Sequence, residues 1–209
     1  MNHYVPNTTA FGHGVTRAAE GYPRLAWTLA DFERLSALGF FGGIDGPRER
    51  IELVDGEIVP MSAKGARHEW VRGELGNWFS RRMLEVHRSF VEPGWRPGGD
   101  VYIEPDILFC RAGHPAATVP VTDVLLLVEI GDTSLSYDRT VKAAIYARLG
   151  VVEYWSVDAK SLATRVFTQP YPDGYGHSRD APSSETLTPA RAPMLALAMA
   201  SLEIPAASA

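Results

Sequence analysis

A mixed α/β (α+β) fold, one central β-sheet flanked by α-helices, is predicted by three features of this sequence. Val124-Leu-Leu-Leu-Val128 is too apolar to have one wet face and reads as a central strand. Val71, Leu75, Trp78 and Phe79 recur at intervals of three and four, the period of an amphipathic helix. Asp55-Gly56 lies between two strand-like runs from Ile51 to Val59, which is a hairpin signature near the N-terminus.

The elements follow in order. Residues 1–24 carry Gly12, Gly14, Gly21 and Pro23 without sustained periodicity and read as a flexible arm ahead of a single domain over residues 25–205. Thr28 and Asp31 have the spacing of a capping box, and Leu29, Phe32, Leu35 and Leu38 continue it as a helix over 29–38. Residues 40–47 contain three glycines and form a loop before the hairpin. A long amphipathic helix runs from His68 to about Val86, and Pro93 to Gly99 breaks the pattern. Val101 to Cys110 is a strand, followed by the central strand from Val124 to Ile130. Ser134 or Ser136 caps the next helix and Gly150 ends it. Val152 to Asp158 returns as a strand, and Leu162 to Gln169 pairs with it as a hairpin. Beyond Ser184, the apolar residues from Met194 to Met199 fit strand and helix equally.

Composition narrows the function. With 209 residues, 45% of them hydrophobic, the chain can bury a sizeable core within one domain. A net charge of -5 argues against broad, non-specific phosphate binding, which depends on excess Lys and Arg. Lys64, Arg67, Arg72, Arg81, Arg82, Arg88 and Arg96 crowd one stretch, but Glu69, Glu74, Glu85 and Glu92 are interspersed, the pattern of a solvated helix face. Cys110 is the only cysteine, so an intramolecular disulfide and a cysteine-rich zinc site are excluded, and its strand context points to a buried core thiol. No apolar run reaches membrane-spanning length, and cytoplasmic residence is the expectation. A Gly-x-Ser-x-Gly elbow, a phosphate loop and a dinucleotide fingerprint are all absent.

The chemistry concentrates between Pro105 and Tyr154. Asp106 and Glu129 are expected on neighbouring central strands, close enough to share one Mg²⁺ or Mn²⁺ through hard oxygen ligands. Buried carboxylates raise each other's pKa unless a cation neutralises them, which makes a nearby lysine significant. At about 100° per residue, Asp138, Lys142 and Tyr146 form a row beside the buried stripe of their helix, so Lys142 leans toward the sheet. There its ammonium can orient or activate a water and stabilise charge on a phosphorane. The competing reading of Asp138 and Lys142 is a surface ion pair at i and i+4.

Pro105-Asp106, Leu126-Leu-Val-Glu129, the row Asp138, Lys142 and Tyr146, and Gly150-Val-Val-Glu-Tyr-Trp-Ser-Val-Asp158 together resemble the Uma-two family of restriction-endonuclease-like proteins, within the PD-(D/E)XK nuclease superfamily. The Glu52-Leu-Val-Asp-Gly-Glu57 hairpin and His68 extend the resemblance over about residues 26–169. It implies a restriction-endonuclease-like core with Asp106 and Glu129 as ligands of Mg²⁺ or Mn²⁺, Lys142 as the catalytic lysine, and DNA as substrate. The superfamily motif carries its lysine two residues after the second acid, where this chain has Gly131, so the resemblance implies that the amine comes from Lys142 instead. Glu52 is a further candidate acid, its alternative being a solvated hairpin residue. Glu104, two residues before Asp106, is a second-metal candidate, and His68 reads as a packed, hydrogen-bonded histidine. A homodimer would suit cleavage of both strands. The rival function is a catalytically silent nuclease fold that binds nucleic acid or protein. An aspartic-protease reading of Gly131-Asp132-Thr133-Ser134 fails because a helix follows at once.

Overall fold

The computed structural model describes residues 15–16, 24–42 and 50–205. They gather into two compact units, one formed by Met1–Met61 with Arg96–Glu104 and the other by Ser62–Trp95 with Pro105–Ala209.

In the first unit, β1 (Val15–Thr16) pairs antiparallel with β2 (Arg24–Leu25); the rest of the arm expected over 1–24 lies outside the described residues. Helix α1 (Leu29–Ala37) starts at the expected capping box: Thr28 Oγ1 accepts from the Asp31 N–H at 3.1 Å while the Asp31 carboxylate accepts from Thr28. Residues 43–47 of the expected loop lie outside the described residues. Strands β3 (Ile51–Val54) and β4 (Glu57–Pro60) form the expected hairpin, with Asp55 and Gly56 both at positive φ, as the turn requires. Phe32, Phe41, Ile51, Leu53 and Tyr102 make its core.

The second unit carries a six-stranded mixed sheet. Helix α2 (Ala66–Arg82) precedes β5 (His87–Val91), β6 (Ile107–Arg111) and β7 (Val124–Gly131). A continuous helical segment follows: α3 (Leu135–Tyr137), a π turn (Asp138–Lys142) and α4 (Ala143–Leu149). Then come β8 (Glu153–Asp158), β9 (Thr164–Tyr171) and β10 (Gly174–Ala181), with β11 (Thr186–Leu187) pairing β12 (Leu197–Ala198) near the C-terminus. The sheet order is β10-β9-β8-β7-β6-β5, and β7–β8 is the parallel pair. Parallel neighbours need a crossover, and the helix over 135–149 supplies it.

Every residue of β7 is buried, as its composition predicts, and its side chains alternate between two faces. Leu126, Val128 and Ile130 join Val71, Leu75 and Phe79 of α2 in the main core, which Leu195, Leu197 and Met199 close from the tail. On the opposite face, Tyr146 of α4 meets Tyr154 of β8 with ring centroids 5.0 Å apart, and Tyr154 stacks on Phe167 of β9 at 5.2 Å. Glu129 belongs to this second face, so the crossover helix lies over it.

Candidate active site

Asp106 falls at a bend one residue before β6, not within the longer strand expected over Val101 to Cys110. Pro105 has no N–H to contribute to a ladder, and β6 starts only after it. The β6–β7 register pairs Ile107 with Val128, so one further step sets Asp106 across from Glu129. Asp106 also reaches the main chain of β7 next to Glu129: the Ile130 N–H donates to Asp106 Oδ2 at 2.8 Å. The same oxygen lies 3.0 Å from His68 Nε2 on α2, while Lys64 Nζ donates to Oδ1 at 2.5 Å. Burial alone would push the Asp106 pKa up, but the hydrogen bonds and charge of His68 and Lys64 outweigh it and hold the carboxyl well below the ordinary range. Lys64 also donates to Glu92, which a salt bridge joins to Arg72.

Glu129 forms the second cluster. Its Oε1 accepts from Lys142 Nζ at 2.9 Å and from the Tyr146 hydroxyl at 2.5 Å, and both the carboxylate and the lysine are buried. The helix that follows β7 makes this approach possible. Asp138–Lys142 winds as a π turn, a form that recurs at functional sites. Asp138 is buried too: its Oδ2 accepts from Ser134 Oγ at 2.8 Å and its carbonyl from the Tyr154 hydroxyl at 3.0 Å. Burial, then the charges of Glu129 and Asp138, push the Tyr154 phenol far above its ordinary pKa, which keeps it a donor. The surface ion pair weighed for Asp138 and Lys142 is therefore corrected, because both side chains turn inward. Ser134 takes the expected N-cap position of α3, but its hydroxyl makes no capping hydrogen bond to the backbone and donates to Asp138 instead.

Gly131 leaves no room for a side chain at the end of β7. A Cβ there would lie 2.7 Å from Leu135 Cα and 2.9 Å from Asp138 Oδ2. The helix packs directly on the strand end, so no lysine fits at 131.

In the first unit, Glu52 is buried and its Oε1 accepts from the Glu104 N–H at 3.0 Å, which corrects the solvated alternative. Glu104 itself takes the Tyr102 hydroxyl at 2.6 Å and Arg50 at 3.2 Å. Sequence reasoning missed Lys64 and Glu92 as site residues. Both sit in the charge-mixed stretch read as a solvated face, yet the Lys64 side chain is only 12% exposed and faces Asp106. The one available signal was spacing: Lys64 and His68 lie four apart at the start of α2.

The model of the Uma2 family, described as "Putative restriction endonuclease", matches residues 29–200. The chain belongs to the Uma2 family. The match takes in Glu52, Lys64, His68, Asp106, Glu129 and Lys142 alike. A solved structure, described as "a putative nuclease belonging to DUF820" from Anabaena variabilis, shares the fold with a TM-score of 0.62 at 16% identity, over 83% of this chain and 95% of that one. Such a likeness shows a shared fold and no more. No curated protein matches this chain.

The carboxylate oxygens of Asp106 and Glu129 are hard donors, the kind that a divalent cation such as Mg²⁺ takes. Mg²⁺ is held by one or two carboxylates together with water and substrate phosphates, not by an all-protein cage. Asp106 and Glu129 offer two carboxylates at positions that the β6–β7 register sets across from one another. Among the described residues, no three His, Cys, Asp or Glu side chains form a cage.

Proposed function

We propose that this chain is a metal-dependent endonuclease that hydrolyses phosphodiester bonds in DNA. Family membership supports a nuclease, and the observation that carries the finer reading is the buried Lys142–Glu129 contact at 2.9 Å beside the sterically closed Gly131. Asp106 and Glu129 would hold Mg²⁺ or Mn²⁺, which when bound would polarise the phosphate and lower the pKa of an attacking water.

The chain's own residues have separable roles. Tyr146 and Lys142 fix the Glu129 carboxylate from the helix side, and His68 with the Ile130 N–H fixes that of Asp106. Lys142 offers ammonium protons to an attacking water or to the developing charge on the phosphoryl oxygens, where a fixed donor in a water-poor site acts strongly. Membership of a nuclease family and the restriction-endonuclease-like fold support a nucleic-acid substrate. No described helix is long and apolar enough to cross a membrane. Cleavage of both strands would use two copies of the chain, so a homodimer belongs to this reading.

A second reading, the silent module that binds nucleic acid or protein, is favoured by the neutralisation of both carboxylates by Lys64 and Lys142. Supercoiled plasmid separates the two. Nicking or linearisation should require Mg²⁺ or Mn²⁺, stop with a chelator and vanish in Asp106→Ala. Turnover with no metal, or full activity in folded Asp106→Ala, would overturn the proposal; binding without cleavage under any metal would establish the silent module.

A further inference from the structure

We propose that Lys64 is a resident cation of this site, a positioning residue that holds Asp106 Oδ1 until a divalent cation takes that oxygen and then withdraws to Glu92. The proposal rests on the metal-dependent reading above and adds a competitor built into the chain.

The two oxygens of Asp106 are held unequally. Oδ2 has two partners on rigid elements, His68 Nε2 from α2 at 3.0 Å and the Ile130 N–H from β7 at 2.8 Å. Oδ1 has Lys64 Nζ at 2.5 Å. Lys64 lies outside regular structure, two residues before α2, and its ammonium ends a flexible four-carbon stem. That ammonium already touches a second carboxylate, Glu92 Oε1.

Glu92 is well placed to receive it alone. Arg72 of α2 bridges to its other oxygen, and its backbone sits at φ 48°, a left-handed conformation that a non-glycine residue keeps only where its surroundings enforce it. Its N–H donates to the Asp106 carbonyl at 3.0 Å, so the two acids are also joined through the main chain. A short swing moves Lys64 from sharing two carboxylates to holding one. Double charge gives a divalent cation the stronger Coulomb attraction for a buried carboxylate, and Glu92 keeps the displaced ammonium paired. Lys142 donates to Glu129 and is the proposed catalytic lysine.

Isothermal titration of the full chain with MnCl₂ alone tests this, with thermal melts to verify folding. Lys64→Met and Lys64→Gln, two variants so that one folded protein suffices, should bind Mn²⁺ on the order of tenfold more tightly than the parent, the scale of one charge-assisted hydrogen bond. Glu92→Gln, which removes the negative charge that would keep the displaced ammonium paired, should bind more weakly than the parent. Asp106→Asn should abolish binding in each background. A lysine that merely supports the fold would lower affinity on removal, so unchanged or weaker binding in the Lys64 variants overturns the proposal. If that binding still depends on Asp106, the metal-dependent reading stands and only the competitor fails. No Asp106-dependent Mn²⁺ binding in any variant sinks both.

Discussion

Replacing Gly131 by alanine should cost stability and dislodge the lysine-bearing helix together. The added methyl would stand 2.7 Å from Leu135 Cα, 2.9 Å from Asp138 Oδ2 and 3.0 Å from Leu135 Cβ. Carbon atoms rest at about 3.5–4.0 Å, so the first contact must open by roughly 1 Å. Leu135 Cα is backbone, and no side-chain rotation relieves it; the start of α3 itself must move. Overpacking of this kind costs about 1–3 kcal/mol, and a backbone collision with two further contacts belongs in the upper part of that range. At about 2–4 °C per kcal/mol for a chain of this size, the melting temperature should fall by roughly 4–12 °C. Urea denaturation and thermal melting of Gly131→Ala measure it. Because Lys142 lies on the same helical segment, kcat should fall more than KM changes. A variant within about 0.5 kcal/mol of the parent would refute the close-approach argument. Gly131→Lys, which places a lysine on the strand two residues after Glu129, should not rescue Lys142→Ala.

Three more outcomes follow from the site. Glu129→Ala leaves the buried Lys142 ammonium without that carboxylate and should cost about 3–5 kcal/mol, whereas Glu129→Met with Lys142→Met should recover most of it; equal losses in the single and double variants would contradict the pairing. Asp106 titrates below its ordinary value of 3.8 in the fold, so its contribution to stability is complete above that pH and disappears as pH falls toward the folded value. Asp106→Asn should therefore flatten the acid limb of a urea-midpoint profile, and parallel limbs would count against the Lys64 and His68 contacts. Burial pushes the Cys110 thiol up to about 11, so the folded protein should resist a disulfide reagent at neutral pH and react only on unfolding. Rapid stoichiometric labelling of the folded chain would contradict its burial.

The parts of the fold that sequence reasoning reached are those whose signal is local. The capping box at Thr28, the Asp55-Gly56 turn, the apolar β7 and the left-handed Gly150 at the end of α4 each depend on a few adjacent residues. Strand β5 escaped because His87-Arg-Ser-Phe-Val91 follows the long helix with no turn chemistry and little apolar alternation, and α2 stops at Arg82, before the expected Val86. Strand β10 escaped for the opposite reason. Gly174-Tyr-Gly-His-Ser-Arg-Asp180 is an edge strand whose mostly exposed residues carry no hydrophobic period.

The site divides in the same way. Helical spacing alone turned Lys142 toward the sheet, and its hydrogen bond to Glu129 agrees. Lys64 was not legible, since its role comes from a carboxylate 42 residues away and its neighbours are charges of both signs. Glu92 acquires its place through a backbone conformation that sequence seldom announces.

The central claim is that Lys142 acts from the helix in place of a strand lysine. Single-turnover cleavage of a defined duplex in saturating Mn²⁺, comparing the parent with Lys142→Ala of matched circular dichroism, tests it most directly. The account predicts a loss of about 10²–10³-fold in the cleavage step, with Mn²⁺ binding retained through Asp106. Cleavage by folded Lys142→Ala at the parent rate would contradict it.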